Sequence, residues 1–261
     1  MSDVLWELHD NGVGVITLNR PEARNALTWE MYAELERRAS SAQADGVRCL
    51  VVTGTDPAFC SGDDVKLIMA GGAEGAAPVR EDRTPRLTPA AGALLRTDVP
   101  IVAAVNGAAV GWGMELSMMA DLRVASEKAK FGELFVLRGL VTDVAGLGRL
   151  TQLVGREKAA ELVFTGDVIP AEEAQRIGLV SRVVPHEELM PTALALAGKI
   201  AANPPLAVQR IKEGLALALD PDWDEVGRWV SSALAELFLT EDHREGVAAF
   251  LEKREPTYVG R

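Results

Sequence analysis

The chain is poor in the residues that build metal centres and disulfide frameworks. Its 261 residues include two cysteines and three histidines. Cys49 and Cys60 show no metal-ligand spacing, and the histidines are scattered along the chain. The sequence therefore predicts neither a metal site nor a disulfide framework.

Long basic runs and long apolar runs are absent as well. The formal net charge of -11 argues against nucleic acid or an anionic membrane surface as the main partner. No apolar run is long enough to span a bilayer, and no secretory leader pattern is present, so we expect a cytoplasmic protein. An anionic ligand held by a few local cations remains compatible with this charge.

Two common nucleotide-binding motifs, G-x-G-x-x-G and G-x-x-x-x-G-K-[ST], do not occur. The hydrophobic content of 48% is enough for a substantial core. Strand and helix patterns alternate over residues 1–190 and predict an α/β core. Residues 191–261 are predicted to be helical, with apolar faces that pack on this core or on another subunit.

One segment interrupts the alternating pattern. Residues 70–91 contain three glycines, three prolines and three arginines. This composition predicts a surface segment inside the domain rather than a linker between domains. Two interpretations stay open, a plain surface loop or a lid beside a functional site.

Residues 101–121 combine a buried strand, a glycine-rich turn and the start of a helix. The strand is predicted at Ile101–Val105, and Gly111 and Gly113 allow a tight turn after it. Such a junction brings unpaired backbone N–H groups and the positive end of a helix together, which suits a developing oxyanion. Glu115 lies in the first turn of the helix, where it either faces this cavity or only interacts favourably with the helix dipole.

Several motifs make the chain similar to the enoyl-CoA hydratase/isomerase, or crotonase, family. They occur in the family's order and spacing over nearly the whole chain: RPEARNALT at 20–28, FCSGDDV at 59–65, VNGAAVGWGMEL at 105–116, ADLRVASEKAKFG at 120–132, GLV at 178–180 and TEDHREGVAAFLEKREP at 240–256. The resemblance implies a crotonase-like spiral of β-β-α turns. It also implies a homotrimer or a dimer of trimers, in which the helical C-terminal region takes part in oligomerisation and covers the pocket.

The resemblance further implies an acyl-CoA thioester as substrate, with coenzyme A bound only as part of that substrate. By the family's motifs, the two backbone N–H groups that hold the thioester carbonyl fall on Ser61 and Trp112. The positions that contact coenzyme A fall on Arg24, Ala26, Ser61, Asp63, Val65 and Gly111, with Lys66 nearby and with Phe250 and Lys253 from the C-terminal region of the same or a neighbouring subunit.

Less specific interpretations stay open for several of these positions. Arg24 and Lys66 are also explained as ordinary surface charges, and Phe250 as a core residue. Asp63 and Asp64 are also explained as caps of the next helix.

The chain departs from the family pattern at two positions of the implied site. Hydratases of the family use a second glutamate twenty residues after the first, which maps onto Phe135, and phenylalanine cannot carry a proton. Glu133 is expected to point elsewhere, so the two-glutamate site is predicted to be incomplete. Asp143 supplies a different carboxylate, either catalytic or an N-cap. Trp112 replaces the usual glycine and either narrows the substrate pocket or packs in the core.

These features predict a lyase or isomerase of fatty acid metabolism that acts on an enoyl-CoA through an enolate, with Glu115 and Asp143 as acid and base. A single carboxylate favours a double-bond shift, whereas the frequency of activities in the family favours hydration. One alternative is a dehalogenase-like or hydrolase-like enzyme with Asp143 as nucleophile. Another is a non-catalytic CoA-binding homologue, which Phe135 favours and Asp143 disfavours.

Overall fold

Two β-sheets form the centre of the molecule in a computed structural model that describes residues 2–69, 87–219, 222–254 and 256. The larger sheet has the order β1 (Val4–Leu8), β2 (Val13–Leu18), β3 (Cys49–Gly54), β5 (Ile101–Val105), β7 (Leu122–Ser126) and β10 (Arg182–Val184). The smaller sheet has the order β4 (Ala58–Cys60), β6 (Ala108–Val110), β8 (Lys130–Gly132) and β9 (Ile169–Pro170). Strands β1 and β2 pair antiparallel, as do β8 and β9, and the other pairs are parallel.

Helices surround the two sheets and continue to the end of the described chain. They are α1 (Trp29–Ser41), α2 (Pro89–Arg96), α3 (Trp112–Met119), α4 (Val144–Leu147), α5 (Arg149–Val154), α6 (Arg156–Thr165), α7 (Ala171–Arg176), α8 (Leu189–Ala201), α9 (Pro205–Leu219), α10 (Trp223–Leu237) and α11 (Glu241–Glu252). Within the described ranges, no helix is long and apolar enough to cross a membrane.

The strands follow a repeating order that generates a spiral. The consecutive pairs β3–β4, β5–β6 and β7–β8 each place their first strand in the larger sheet and their second strand in the smaller one. Helix α3 follows the second of these pairs, and helices α4 to α6 follow the third. This arrangement confirms the predicted α/β spiral of β-β-α turns.

The larger sheet is buried on both faces, as is typical of parallel strands covered by helices. Along β3, Leu50 and Val52 belong to the main apolar core, whereas Val51 packs towards α8. Helix α8 presents Ala193 and Ala197 to this second face. The predicted boundary at residues 190 and 191 falls inside α8. Because α8 packs on the larger sheet, this helix belongs with the α/β core.

The structure describes only the end of the segment at residues 70–91 that is rich in glycine, proline and arginine. Residues 70–86, and with them the proposed lid, lie outside the described residues. Pro89 begins α2, and the Thr88 side chain accepts a hydrogen bond from the Ala91 N–H. The last part of this segment is therefore a helix rather than a loop, because threonine at the N-cap followed by proline is a favourable helix start.

Candidate active site

Polar side chains fix the loop that carries Arg24 and Ala26. Asn25 is fully buried, and its Nδ2 donates a hydrogen bond to the Ala58 carbonyl oxygen at 2.7 Å. Arg20 donates from Nη1 to the Ala26 carbonyl oxygen at 2.7 Å and to Asp64 Oδ2 at 3.1 Å. These bonds hold the loop against the residues that follow β4.

Next to Gly62, the N–H group of Asp63 has no protein partner among the described residues. Leu27 donates its N–H to the Gly62 carbonyl oxygen at 2.8 Å and accepts the Asp64 N–H at 2.9 Å. These two bonds form a parallel bridge between Leu27 and Asp63. In such a bridge the N–H of the middle residue points away from the partner strand. Among the described residues, the Asp63 N–H makes no backbone or side-chain hydrogen bond.

In the part of the chain that the structure describes, a second N–H group without a backbone partner belongs to Trp112, the first residue of α3. The N–H groups of a first helical turn have no partner within the helix. A Cβ atom added to Gly62 would lie only 3.2 Å from the Trp112 nitrogen and 3.0 Å from the Val110 carbonyl oxygen. Gly62, with a positive φ of +87°, thus lies directly beside this donor.

The Ser61 N–H is not available to a ligand, contrary to the prediction from the sequence. It donates to the Arg24 carbonyl oxygen at 3.1 Å. The Ser61 hydroxyl donates to the Ala23 carbonyl oxygen at 3.3 Å. Both groups therefore attach the loop to the site, and the adjacent unpaired donor is at Asp63.

A cavity of about 450 Å3 opens beside these backbone donors. This volume is within the usual range for small-molecule sites. Every residue predicted to contact coenzyme A lines it except Lys253, and Trp112, Phe135 and Arg138 line it as well. The predicted residues that line it are Arg24, Ala26, Ser61, Asp63, Val65, Gly111, Phe250 and the neighbouring Lys66.

The C-terminal helix contributes one wall of this cavity from the same chain. Phe250 is 51% exposed, so it is not a core residue. The guanidinium carbon of Arg138 lies 4.5 Å from the centre of the Phe250 ring, a cation–π contact. Lys253 ends α11 in a left-handed conformation and is not among the residues that line the cavity.

The two adjacent aspartates of the FCSGDDV motif have different roles. Asp64 Oδ1 accepts the N–H groups of Lys66 and Leu67, so this residue caps the helical turn that follows. Asp63 Oδ1 accepts the Tyr32 hydroxyl at 2.5 Å. Burial raises the pKa of Asp63 to about 6, although the Tyr32 hydrogen bond acts in the opposite direction.

The Trp112 side chain connects the cavity to Asp143. The indole is almost fully buried and meets the Tyr32 ring edge to face, with the ring centres 4.6 Å apart. Its Nε1 donates to Asp143 Oδ2 at 3.1 Å. Trp112 lines the cavity, whereas Asp143 and Glu115 do not, so the indole joins a cavity-lining residue to a buried carboxylate.

Asp143 caps α4, as one of its two predicted roles requires. Its Oδ1 accepts the Val144 N–H at 2.7 Å. Burial raises the pKa of Asp143, and the hydrogen bonds from Val144 and Trp112 counteract part of this effect. The cap leaves an acid–base role open, because each carboxylate oxygen has a second lone pair.

Glu115 and Glu133 meet at the hydroxyl of Thr142. The Thr142 Oγ1 atom lies 2.6 Å from Glu115 Oε1 and 2.7 Å from Glu133 Oε2. Glu115 also accepts the Gly146 N–H at 3.0 Å. Glu133 does not line the cavity, as Phe135 does, but it approaches Glu115 through Thr142, which the sequence did not indicate. Strand β8 ends at Gly132, so the alternation of a strand no longer applies to Glu133.

Three buried carboxyl groups, Glu115, Glu133 and Asp143, therefore form one buried carboxyl cluster. Burial raises the pKa of Glu115 well above its usual range, and the charges of Glu133 and Asp143 raise it further. Burial likewise raises the pKa of Glu133 to about 8. The sequence motifs did not indicate this cluster, because Glu133 falls just outside the motif at 120–132 and Thr142 resembles an ordinary loop residue before Asp143. Tyr32 was missed for a similar reason, since its place on the amphipathic helix α1 resembles that of an ordinary packing residue.

The spiral of strands, the cavity and the unpaired backbone donors define a protein of the crotonase class. A sequence model of the enoyl-CoA hydratase/isomerase family matches residues 9–261. A protein from Rhizobium meliloti (strain 1021) named as a probable enoyl-CoA hydratase is 37% identical in an alignment that covers 95% of this chain and 95% of its own. The chain belongs to the enoyl-CoA hydratase/isomerase family.

Solved structures agree with this assignment. The crystal structure of an enoyl-CoA hydratase/isomerase from Pseudoalteromonas atlantica T6c superposes with a TM-score of 0.87 at 30% identity and covers 99% of this chain and 100% of its own. A carnitinyl-CoA hydratase from Mycobacterium avium superposes with a TM-score of 0.83 at 36% identity and covers 99% of both chains. The similarity extends over the helical C-terminal region as well as the spiral.

Proposed function

We propose that the protein acts on an enoyl-CoA thioester through an enolate whose oxygen is held by the backbone N–H groups of Asp63 and Trp112. The observation that carries this proposal is the pair of unpaired N–H groups on either side of Gly62, beside the cavity. Charge develops on the thioester oxygen when a neighbouring proton is removed or water is added. Fixed donors stabilise that state more than the ground state, and each contributes roughly 3 kcal/mol.

The acid–base chemistry is assigned to Asp143 and Glu115, which do not line the cavity themselves, although the indole of Trp112, which lines it, contacts Asp143. A carboxylate that removes a proton from one carbon and returns it to another catalyses a double-bond shift. Phe135 lines the cavity at the position of the second hydratase glutamate, so no carboxylate is available there to hold a water molecule. This replacement favours isomerisation as the main reaction.

Hydration is the second candidate, and the buried carboxyl cluster supports it. Glu133 lies within hydrogen-bond distance of the Thr142 hydroxyl that also contacts Glu115. Glu115 therefore has a second carboxyl group as a neighbour, although not at the position that the family pattern implies. Addition of water requires one group to activate it and another to supply a proton to the substrate.

The cavity walls suit the coenzyme A part of such a substrate. Arg24 and Lys66 line the cavity, and in the described part of the chain neither side chain forms an ion pair. Local cations of this kind suit the phosphate groups of coenzyme A despite the acidic net charge. We retain a homotrimer or dimer of trimers, a cytoplasmic location and a role in fatty acid metabolism as predictions.

A nucleophilic role of Asp143 has less support. Both of its oxygens accept hydrogen bonds, from the Val144 N–H and from the Trp112 indole, and these bonds make a carboxylate less nucleophilic. In the described chain, His9, His186 and His243 neither line the cavity nor hydrogen-bond to Asp143, so no histidine is placed beside the proposed nucleophile.

Product analysis on the purified protein tests the proposal. The protein is given 2-enoyl-CoA and 3-enoyl-CoA separately, and products are followed by mass spectrometry and absorbance. Conjugation of the 3-enoyl substrate without a change in mass is expected for isomerisation, and gain of one water by the 2-enoyl substrate for hydration. Binding of acyl-CoA with no turnover of either substrate would overturn the proposal and indicate a non-catalytic homologue.

A further inference from the structure

Counting hydrogens in the Glu115–Thr142–Glu133 unit shows that at least one of its carboxyl groups is protonated. Both carboxylate oxygens lie within 2.7 Å of the same Thr142 oxygen. A threonine hydroxyl carries one hydrogen and donates one bond. If both glutamates were ionised, one of these short contacts would join two oxygens with no hydrogen between them. A proton on either glutamate removes this repulsion, because the hydroxyl then donates to one carboxyl and accepts from the other.

The surroundings of the unit also favour a proton in it. Glu115 and Glu133 are 0% and 1% exposed, and ionising both in such a place is costly without a compensating cation. The charged groups that act on Glu115 are Glu133, after β8, and Asp143, at the start of α4, and both are acidic. The remaining polar contacts of Glu115 are the Thr142 hydroxyl and the Gly146 N–H.

We propose that Glu133 is a positioning residue that shares one proton with Glu115 through the Thr142 hydroxyl. When the proton is on Glu133, its O–H donates to Thr142 Oγ1, and the Thr142 hydroxyl donates to an ionised Glu115. Transfer of the Glu133 proton to Oγ1 together with the Thr142 proton to Glu115 leaves Glu133 ionised and Glu115 protonated. Atoms and total charge of the unit are unchanged.

This sharing lets Glu115 present either a base or an acid to the acyl group without exchanging a proton with bulk water. The functional consequence rests on the proposed enoyl-CoA reaction, whereas the shared proton itself does not. Neither Glu133 nor Glu115 lines the cavity, and Glu133 contacts Glu115 only through the Thr142 hydroxyl, so any effect of Glu133 on the reaction passes through Glu115. Its role differs from that of the second glutamate implied by the family pattern, whose position is occupied by Phe135.

Infrared spectroscopy of the ligand-free protein tests the shared proton directly. Near neutral pH, the wild type is expected to show the carbonyl absorption of a buried protonated carboxyl group. Glu133→Gln is expected to weaken this absorption, because the glutamine amide carries no carboxyl proton and removal of the Glu133 charge lowers the pKa of Glu115. Glu127→Gln, which removes an exposed acid between β7 and β8, is the matched control and should keep it. An unchanged absorption in Glu133→Gln would overturn the proposal.

The pH dependence of kcat supplies a second readout that a purely structural role would not produce. Glu133→Gln is expected to shift the limb of the kcat–pH profile that reflects ionisation of Glu115 to lower pH by about one unit or more. A carboxyl group that shares no proton with a neighbour ionises at lower pH. Thr142→Val is expected to move it to higher pH, because Glu115 loses a donor that stabilises its charged form. Thr142→Ser keeps the hydroxyl, so its kcat–pH profile should match that of the wild type.

The infrared comparison and the kcat–pH profiles distinguish failure of the proposed function from failure of the shared-proton proposal. If no enoyl-CoA is turned over, the proposed function fails, and the infrared comparison still decides whether the proton is shared. If turnover is present but the Glu133→Gln and Thr142→Val profiles coincide with the wild type, the positioning role of Glu133 is refuted. Thr142→Ser also controls for folding, because it keeps the hydrogen bonds of the unit.

Discussion

The indole Nε1 of Trp112 lies 3.1 Å from Asp143 Oδ2 and donates a hydrogen bond to it. The backbone N–H of the same tryptophan is one of the two proposed oxyanion donors. One residue thus connects the group that would hold the thioester oxygen to the carboxylate that would move the proton. The burial of the indole against Tyr32 fixes this connection.

Replacing Trp112 by phenylalanine should change proton transfer more than substrate binding. The backbone N–H and much of the ring packing remain, whereas the hydrogen bond to ionised Asp143 is lost. That bond lowers the pKa of Asp143, so its removal raises this pKa. The acidic limb of the kcat profile should move to higher pH by up to about one unit, with little change in KM. A profile that stays in place would show that the indole does not act on the titrating group.

Asp143→Asn should remove turnover and keep acyl-CoA binding. An amide cannot accept the substrate proton, and loss of a general acid or base typically lowers rates by about 10²- to 10⁴-fold. Asparagine is a good N-cap, so α4 should remain formed. Turnover assays and calorimetric titration with a non-reactive acyl-CoA measure the two properties. Asp167→Asn, at an exposed position, removes the same charge and should be neutral, whereas full activity of Asp143→Asn would exclude the assigned role.

Glu133→Gln should make the free energy of unfolding less dependent on pH. Burial raises the pKa of Glu133 from the usual 4.5 to about 8, so the folded protein holds a proton that the unfolded chain releases between these values. Wild-type stability should therefore fall as the pH rises from about 4.5 to about 8, by at most about 1.4 kcal/mol per pH unit for one group. The glutamine variant lacks this contribution.

Urea unfolding across that pH range measures the difference. The variant is expected to gain stability relative to the wild type towards pH 8, and to show the smallest gain near pH 4.5. Glu127→Gln again serves as the control, because its side chain is exposed. Parallel curves for wild type and Glu133→Gln would mean that Glu133 is ionised in the folded protein.

Lys66→Ala should weaken binding of acyl-CoA and leave kcat nearly unchanged. The lysine lines the cavity at an exposed position, where a contact with a phosphate group is screened by water and salt. We expect an increase in Kd of about threefold to tenfold at low salt and a smaller one at high salt. Arg156→Ala removes one exposed cation from α6 and is the control. Equal affinities of the wild type and Lys66→Ala for acyl-CoA would show that Lys66 is an ordinary surface charge.

Regular features of the fold could be predicted from the sequence because they depend on local patterns. The strand at Ile101–Val105 and the start of α1 after Thr28 follow from an apolar run and an N-cap residue, and the structure contains both. The cavity-lining residues followed from the family motifs, which keep their spacing here. Backbone donors were harder to place, because the choice between Ser61 and Asp63 depends on which N–H the Arg24 carbonyl oxygen accepts.

The buried carboxyl cluster could not be predicted for a different reason. Glu133 and Thr142 are nine residues apart with a turn between them, and both approach Glu115 from outside its helix. Periodicity describes positions within one element and contains no information on how the end of a strand and the start of a helix meet. The free-energy cost of burying a carboxylate can be assessed only when the fold shows which carboxyl groups are buried.

Gly62→Ala should reduce turnover by disturbing the proposed oxyanion donors. An alanine Cβ would lie 3.2 Å from the Trp112 nitrogen and 3.0 Å from the Val110 carbonyl oxygen, so the two strand ends would have to separate. Gly46→Ala is the matched control, because Gly46 also has a positive φ, of +77°, but open space around its Cβ. Both variants should lose about 1 kcal/mol of stability from the backbone conformation. Only Gly62→Ala should lose activity, by tenfold or more if one donor moves, since a lost donor typically lowers kcat by about 10²-fold or more. Equal activity of the two variants, measured on folded protein, would place the thioester oxygen elsewhere.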